Sequence, residues 1–453
     1  MTRRAALVRH PVALAGIVLT TISAGVFMAL VAAMAAGLLV NPYAGLVVFV
    51  ALPAAFLIGL LLILFGIWLE RRRLARRPLG EAVWPVIDLA RPTVRRTVMA
   101  VLVLSAINIS ILLTAGYGAL HWMESPQFCG QTCHTPMHPQ FSAWSASSHS
   151  QVACATCHIG EGAQSFAHAK LAGVRQLWHV TTSSYPRPIP AVASGMPRAS
   201  EVCGRCHAAT RNHGVLVRTL REYADDEMNT ESTTTLQMHV GGPGRPTLSD
   251  RSIHWHASPN IRVEYLATDD DRQTIPYVKV SYGDGRMKEF TADGTTPQQL
   301  ASAERRVMDC IDCHNAVGHR VAPTVESAVN AAIAEGQIGR QVRFIRREAA
   351  RLLSVEYPSQ AAAEDAIERG LRTFYRSGDV AALDVAALEQ AVGALRAVYR
   401  HNVFPVMKVT WGTYPDNIGH VTSSGCFRCH DGRTAKDGSS ISADCGYCHT
   451  QAE

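Results

Sequence analysis

Five short motifs constrain this chain more than any other feature, because each fixes two cysteines and a histidine within five residues. They have the pattern C-x-x-C-H and contain ten of the 12 cysteines in the 453-residue sequence. A zinc site or a disulfide needs no histidine after every cysteine pair. The pattern is instead typical of covalent attachment of haem c. The motifs are CATCH at 154–158, CGRCH at 203–207, CIDCH at 310–314, CFRCH at 426–430 and CGYCH at 445–449.

In each motif we expect the two thiols to form thioether bonds to a haem and the histidine to bind its iron. The predicted attachment residues are Cys154, Cys157, Cys203, Cys206, Cys310, Cys313, Cys426, Cys429, Cys445 and Cys448. The predicted iron ligands within the motifs are His158, His207, His314, His430 and His449.

The two remaining cysteines lie in the stretch FCGQTCHTPMHP at residues 128–139. Cys129 and Cys133 are followed by His134, and the spacing C-x-x-x-C-H is one residue longer than in the other motifs. Two interpretations are open: a haem site with a widened loop, or a reducible disulfide in a haem protein. The five regular motifs favour the first, so the sequence predicts six covalently bound haem c groups.

The first 120 residues have the pattern of a membrane anchor. No charged residue occurs between positions 11 and 69, and Asn41-Pro42-Tyr43 interrupts this apolar run. Each half is longer than the roughly 20 residues that cross a bilayer. A third apolar segment covers residues 97–120. We therefore expect three transmembrane helices.

The distribution of charge predicts the orientation of the anchor. Residues 1–120 carry 11 basic and 3 acidic residues, and the other residues carry 32 and 34. The basic residues precede the first apolar segment or lie between the second and third. By the positive-inside rule the N-terminus is cytoplasmic, and the haem domain is periplasmic on a bacterial inner membrane. The net charge of +6 is thus a topology signal and indicates no nucleic-acid partner.

The predicted fold class is a membrane-anchored multihaem cytochrome c, with a mainly α or irregular, haem-packed periplasmic domain and a small β-hairpin insert. A strand pattern starts at Ile261, and YVKVSYGDGRMKEF reads as a hairpin around Asp284-Gly285. The predicted segments are an anchor at 1–120, three haem motifs at 121–214, the insert at 215–305, the fourth motif at 306–321, a helical spacer at 322–402 and two haem motifs at 403–453.

Residues 97–320 resemble the NapC/NirT family of membrane-anchored tetrahaem quinol dehydrogenases, of which this chain looks like an extended six-haem form. Four features carry the resemblance. They are Met137 after the first motif, the SASSHS segment with His149, Lys170 twelve residues past the second motif, and His319 five residues past the fourth.

The resemblance implies particular roles for these residues. Met137 would bind the first haem iron, His319 the second and His149 the third, and Lys170 would lie in the quinol pocket. The first motif departs from the family by one residue in each spacing. Met137, His138 and His134 therefore all remain open as ligands of the first iron. Leu177 stands where the family has an acidic residue near the pocket.

The remaining distal ligands are predicted from position alone. His213 follows the third motif and is assigned to the fourth haem, with His254 and His256 as alternatives. His401 and His420 are assigned to the two C-terminal haems.

The function implied by the resemblance is electron transfer from membrane (mena)quinol to a periplasmic acceptor. The expected partners are the membrane, the quinone pool, and a periplasmic redox protein or membrane complex. The alternative is an electron-conduit subunit of a larger respiratory or photosynthetic complex, without a quinol site of its own. Enzymatic activity would be at most that of a quinol dehydrogenase. A terminal reductase is not expected, because all six motifs end in histidine.

Overall fold

The computed structural model describes residues 10–35, 47–75, 89–132, 134–191, 196–207, 214–241, 252–377 and 384–451. The chain divides into two compact units, Met1–Thr132 and Cys133–Glu453. The boundary between the units lies within the segment predicted at 121–214, and the second unit contains the five regular motifs.

The first unit contains three helices: α1 at Pro11–Ala35, α2 at Leu52–Ala75 and α3 at Pro92–Met123. Helices α1 and α2 pack along their length, because small residues let the backbones approach closely. A Cβ atom added at Gly16 would lie 2.6 Å from the carbonyl oxygen of Gly59.

Two helices of this unit are candidate membrane spans in the described part of the chain: Pro11–Val31 and Leu52–Glu70. Two of the three predicted transmembrane helices are thus among the candidate spans. The third predicted segment, at 97–120, is helical within α3 but is not among the candidates. Several side chains of α3 lie outside the described residues.

The second unit has little regular structure around the motifs. Helix α4 follows the first motif, and short helices hold the cysteines of later motifs. Asp309 caps the helix of the fourth motif, where its side chain accepts a hydrogen bond from the backbone N–H of Cys310. The helices of this region are α4 His134–Ser145, α5 Cys154–His158, α6 Gly162–Thr181, α7 Ala199–Cys203, α8 Pro297–Ser302 and α9 Cys310–Cys313.

The segment predicted as a small hairpin insert contains two antiparallel sheets. The first has the order β1-β2-β7 and the second β5-β4-β3-β6. The predicted hairpin is present as β4 and β5, and Gly285 in its turn has a φ of 87°. The strands are β1 Val215–Tyr223, β2 Glu231–His239, β3 Ile261–Ala267, β4 Tyr277–Tyr282, β5 Met287–Thr291, β6 Glu304–Val307 and β7 His449–Gln451.

Strand β7 explains why the insert is not a separate domain. It contains the histidine of the last motif and pairs with β2, where Met238 lies opposite His449. The insert is therefore joined by backbone hydrogen bonds to the C-terminal motifs, which a local strand pattern cannot predict.

The predicted helical spacer is a four-helix cluster with its own apolar core. Val329, Ile345, Leu371 and Leu395 are fully buried in it. This segment needs no haem to fill its interior. Its helices are α10 Val325–Ala334, α11 Ile345–Leu353, α12 Gln360–Ser377 and α13 Val385–Asn402.

Candidate haem-binding sites

Each of the five regular motifs has its histidine beside a second histidine. The ring centroids of every pair are 5.9 to 6.3 Å apart. In chain order of the motifs, the pairs are His158 with His319, His207 with His149, His314 with His254, His430 with His256 and His449 with His420.

This spacing fits two imidazoles on opposite sides of one iron. A metal–imidazole bond is about 2 Å long, and the ring centre lies about 1 Å beyond the nitrogen, which gives about 6 Å between centroids. The chemistry of the donors also fits, because two histidines are common axial ligands of haem in electron-transfer sites. The side chains present at these five places are therefore suited to bind haem c.

Backbone carbonyls orient three of these histidines. The Nδ1–H groups of His256, His319 and His430 donate to the carbonyl oxygens of Ile253, Gln140 and Ser442 at 2.9, 3.2 and 2.8 Å. Because Nδ1 carries the proton, Nε2 is left with its lone pair for the iron.

The surroundings also keep site histidines neutral. Burial lowers the pKa of His158, and the nearby His319 lowers it further. Burial is likewise the main cause of the lowered pKa of His256, His314 and His319. A neutral imidazole is the form that binds a metal.

The predicted distal ligands lie in different surroundings in the structure. It places His149, His319 and His420 beside motif histidines, as the sequence analysis expects. His213 lies outside the described residues, and His254, one of its two alternatives, is the neighbour of the fourth motif.

For His401 the structure shows a different neighbour from the one that its predicted role requires. The fifth motif histidine faces His256. His401 lies on α13, where its Nδ1 is 3.0 Å from the hydroxyl oxygen of Ser142 on α4. The fold of the insert brings His256 to the fifth motif, although the two lie far apart in the sequence.

His254 and His256, the two alternatives to His213, come from one short turn, the 3₁₀ helix Ile253–Ala257. Residues two apart on such a helix point in different directions, so His254 and His256 can serve two different motifs. The sequence signal is the H-x-H spacing in a segment without cysteines. Six haems need more distal ligands than the few histidines that lie close to the motifs in sequence. This shortage directs attention to the H-x-H segment.

The motifs follow one another in space. Helix α5 contacts α7, and α7 contacts α9. The hydroxyl of Ser200 at the third motif donates to a carboxylate oxygen of Asp309 before the fourth, at 3.3 Å. Burial and, to a smaller extent, the nearby Cys426 thiol of the fifth motif raise the pKa of the Cys313 thiol to about 12.

A buried polar network joins the fourth and fifth motifs. Asp312, within CIDCH, pairs with Arg272 at 3.1 Å, and both side chains are less than 10% exposed. The hydroxyl of Tyr265 donates to the same carboxylate. Arg428, within CFRCH, donates to the backbone carbonyl oxygen of Asp312 at 2.6 Å. Breaking such a buried pair costs about 3–5 kcal/mol, so this network fixes the two motifs relative to each other.

A cavity of about 610 Å³ adjoins the second and third motifs. Its lining is partly polar, and Arg205 of CGRCH forms an ion pair with Glu161 there at 3.2 Å. A guanidinium in this position could bind a haem propionate. The lining residues are Gly160, Glu161, Ser165, Pro197, Glu201 and Arg205.

The first motif is described only in part. Cys133 and the side chain of His134 lie outside the described residues, so the disulfide interpretation and the first axial ligand are not tested. Met137 is half-buried on α4, and His138 packs edge-on against Phe404 with ring centroids 5.1 Å apart. Lys170 lies on α6 with its ammonium 4.8 Å from the ring centre of Phe166.

The chain is similar in sequence to known proteins. The family model described as the NapC/NirT cytochrome c family, N-terminal region, matches residues 91–189. The cytochrome c-type protein ImcH of Geobacter sulfurreducens is 36% identical over 448 residues, which are 97% of this chain and 87% of that protein. No solved structure matches. With a membrane anchor, covalent haem c and a role in electron transport, this chain belongs to the NapC/NirT family of c-type cytochromes.

Proposed function

We propose that this protein is a six-haem cytochrome of the bacterial inner membrane that oxidises (mena)quinol and passes the electrons to a periplasmic acceptor. The observation that carries the proposal is the set of five histidine pairs, each with one motif histidine and a ring spacing near 6 Å. In this proposal α3 is a third membrane span, the N-terminus is cytoplasmic and the second unit is periplasmic.

Haem c, when bound, accepts and donates one electron at a time, and the protein positions it and tunes its potential. Two histidines would hold each of five irons, and backbone hydrogen bonds would orient histidines of the second and fifth haems. We assign His319 to the second haem, His149 to the third, His254 to the fourth, His256 to the fifth and His420 to the sixth. The first haem would be attached at Cys129 and Cys133, with Met137 as its axial ligand.

We assign the quinol site to the region of Lys170. Its ammonium can donate a hydrogen bond to a quinol oxygen, and its charge favours loss of a proton from that oxygen. The stacking of Lys170 on Phe166 keeps the charged group at one side of α6. Electrons would then pass through the motifs in the order in which they contact one another.

Replacing Lys170 tests the quinol site. The Lys170→Leu substitution removes the donor and keeps most of the apolar stem. We expect at least tenfold slower haem reduction by a menaquinol analogue in detergent, with unchanged haem content and dithionite reduction. Lys436→Leu is the control, because this exposed lysine lies on a loop between the last two motifs. Reduction at the wild-type rate in Lys170→Leu would instead favour the electron-conduit alternative.

The haem number is tested by the mass of the intact protein. Six thioether-linked haems should add six haem masses to the polypeptide, because every motif provides two thiols and a histidine. A Cys129→Ser, Cys133→Ser protein should lose one of them. A wild-type mass with five haems would return these two cysteines to the disulfide interpretation.

A further inference from the structure

Helix α6 turns its largest apolar side chains outward. Leu171, Val174 and Trp178 are 69, 68 and 68% exposed, and their spacing of three and four residues places them on one side of the helix. Phe166 and Leu177, on an adjacent side of the helix, are half-buried. We refer to Leu171, Val174 and Trp178 as the α6 stripe.

The charges of α6 are of one sign. Gly162–Thr181 contains Lys170 and Arg175 and no acidic residue. Arg175 is exposed and directly follows a stripe residue. Glu161, which precedes the helix, forms an ion pair with Arg205. A partner that covers this face must therefore offer apolar surface next to negative charge.

We propose that the α6 stripe lies in the interface of the anionic phospholipid bilayer that holds this protein's anchor. Helices with a basic polar edge and an apolar face containing Trp and Leu bind in this way. Tryptophan in particular is enriched at the level of the lipid headgroups. Arg175 would contact lipid phosphates while the stripe enters the acyl boundary.

The placement has a consequence for the neighbouring residue. Lys170 is adjacent to Leu171, so insertion of the stripe would hold its ammonium at headgroup depth, where a quinol leaves the bilayer. The inference rests on the membrane anchor of the chain and not on the quinol site. The two can therefore fail separately.

Hydroxyl-radical footprinting of the full haem-loaded protein in nanodiscs tests the proposal. The discs contain phosphatidylcholine with phosphatidylglycerol, at one protein per disc. We expect Trp178 to be oxidised at least fivefold more slowly than its exposure predicts. Met228 and Met287 serve as references in the same unit, because they are 66 and 57% exposed. Equal oxidation of Trp178 and the references, each relative to the unfolded chain, would overturn the proposal.

Substitutions on the stripe provide the matched control. In Leu171→Glu, Val174→Glu protein, the new carboxylates oppose insertion, so Trp178 should become as reactive as the references. Val385→Glu, Val421→Glu protein changes two residues that are 69 and 80% exposed outside α6, and should keep Trp178 protected. Unchanged haem content would show that both variants fold.

Two further outcomes separate the alternatives. Protection of Trp178 that appears only with two proteins per disc would mean that a second copy covers the stripe, and would overturn the proposal. Lys170→Leu protein should keep Trp178 protected even if quinol oxidation is lost. This result would show that membrane contact does not depend on the quinol site.

Discussion

At the scale of residues, one short turn serves two irons in our assignment. His254 and His256 are separated by Trp255, and their rings face His314 and His430 at 6.3 and 5.9 Å. Neither imidazole can replace the other, because they point in different directions. Each therefore controls the coordination of a different haem.

Removing either histidine should open one iron. We expect His254→Ala and His256→Ala each to convert one low-spin haem to a high-spin signal in electron paramagnetic resonance, because the sixth ligand is lost. His401→Ala is the matched control, since this histidine contacts Ser142 and faces neither motif. A new high-spin signal in His401→Ala but in neither of the other proteins would restore the assignment from sequence position.

These residues show what local patterns can and cannot predict. The motif cysteines and histidines follow from spacing within five residues, and the resemblance to a family supplied His149 and His319. His256 could not be found in this way, because more than 170 residues separate it from His430. Long-range contacts bring the two segments together, such as the hydrogen bond from Arg428 of the fifth motif to the backbone carbonyl oxygen of Arg272 in the insert, at 3.0 Å.

At the scale of elements, the contact between the two anchor helices depends on the positions of small residues, which hydropathy does not show. Helices α1 and α2 are apolar on all sides, so their mutual orientation depends on where small residues permit contact. Gly66 packs directly against the backbone of Ala13, whereas a side chain at Gly25 would have no neighbour within 4 Å in the described residues. Two glycines of similar sequence context therefore have different roles.

We expect Gly66→Leu to destabilise the helix pair by about 1–3 kcal/mol, because the larger side chain forces the two backbones apart. The midpoint of heat-induced aggregation of the detergent-solubilised protein should fall accordingly. Gly25→Leu should leave the midpoint unchanged, since it adds the same side chain to α1 without a clash. A similar fall in both variants would mean that leucine acts through the membrane and not through helix contact.

At the scale of the whole molecule, the contacts between motifs place the second to fifth motifs in a linear order. The second motif contacts the third, the third contacts the fourth, and the fourth is joined to the fifth by Asp312 and Arg428. His420, assigned to the sixth haem, is an exposed residue. The sequence order of the second to fifth motifs is preserved in these contacts, although the insert and the helical spacer separate them along the chain. If electrons follow this linear order, the loss of one haem divides their path into two parts.

Removing the fourth haem should therefore divide the path. In Cys310→Ser, Cys313→Ser protein, we expect a menaquinol analogue to reduce the first three haems at the wild-type rate and the last two much more slowly, because electron transfer slows steeply with distance. Stopped-flow spectroscopy would resolve the two phases. Cys445→Ser, Cys448→Ser protein is the control, since it lacks only the last haem and should show one fast phase. A mass with five haems and complete reduction by dithionite would show that each variant is folded. If the fourth-haem variant is still reduced in a single fast phase, electrons reach the last two haems by another route.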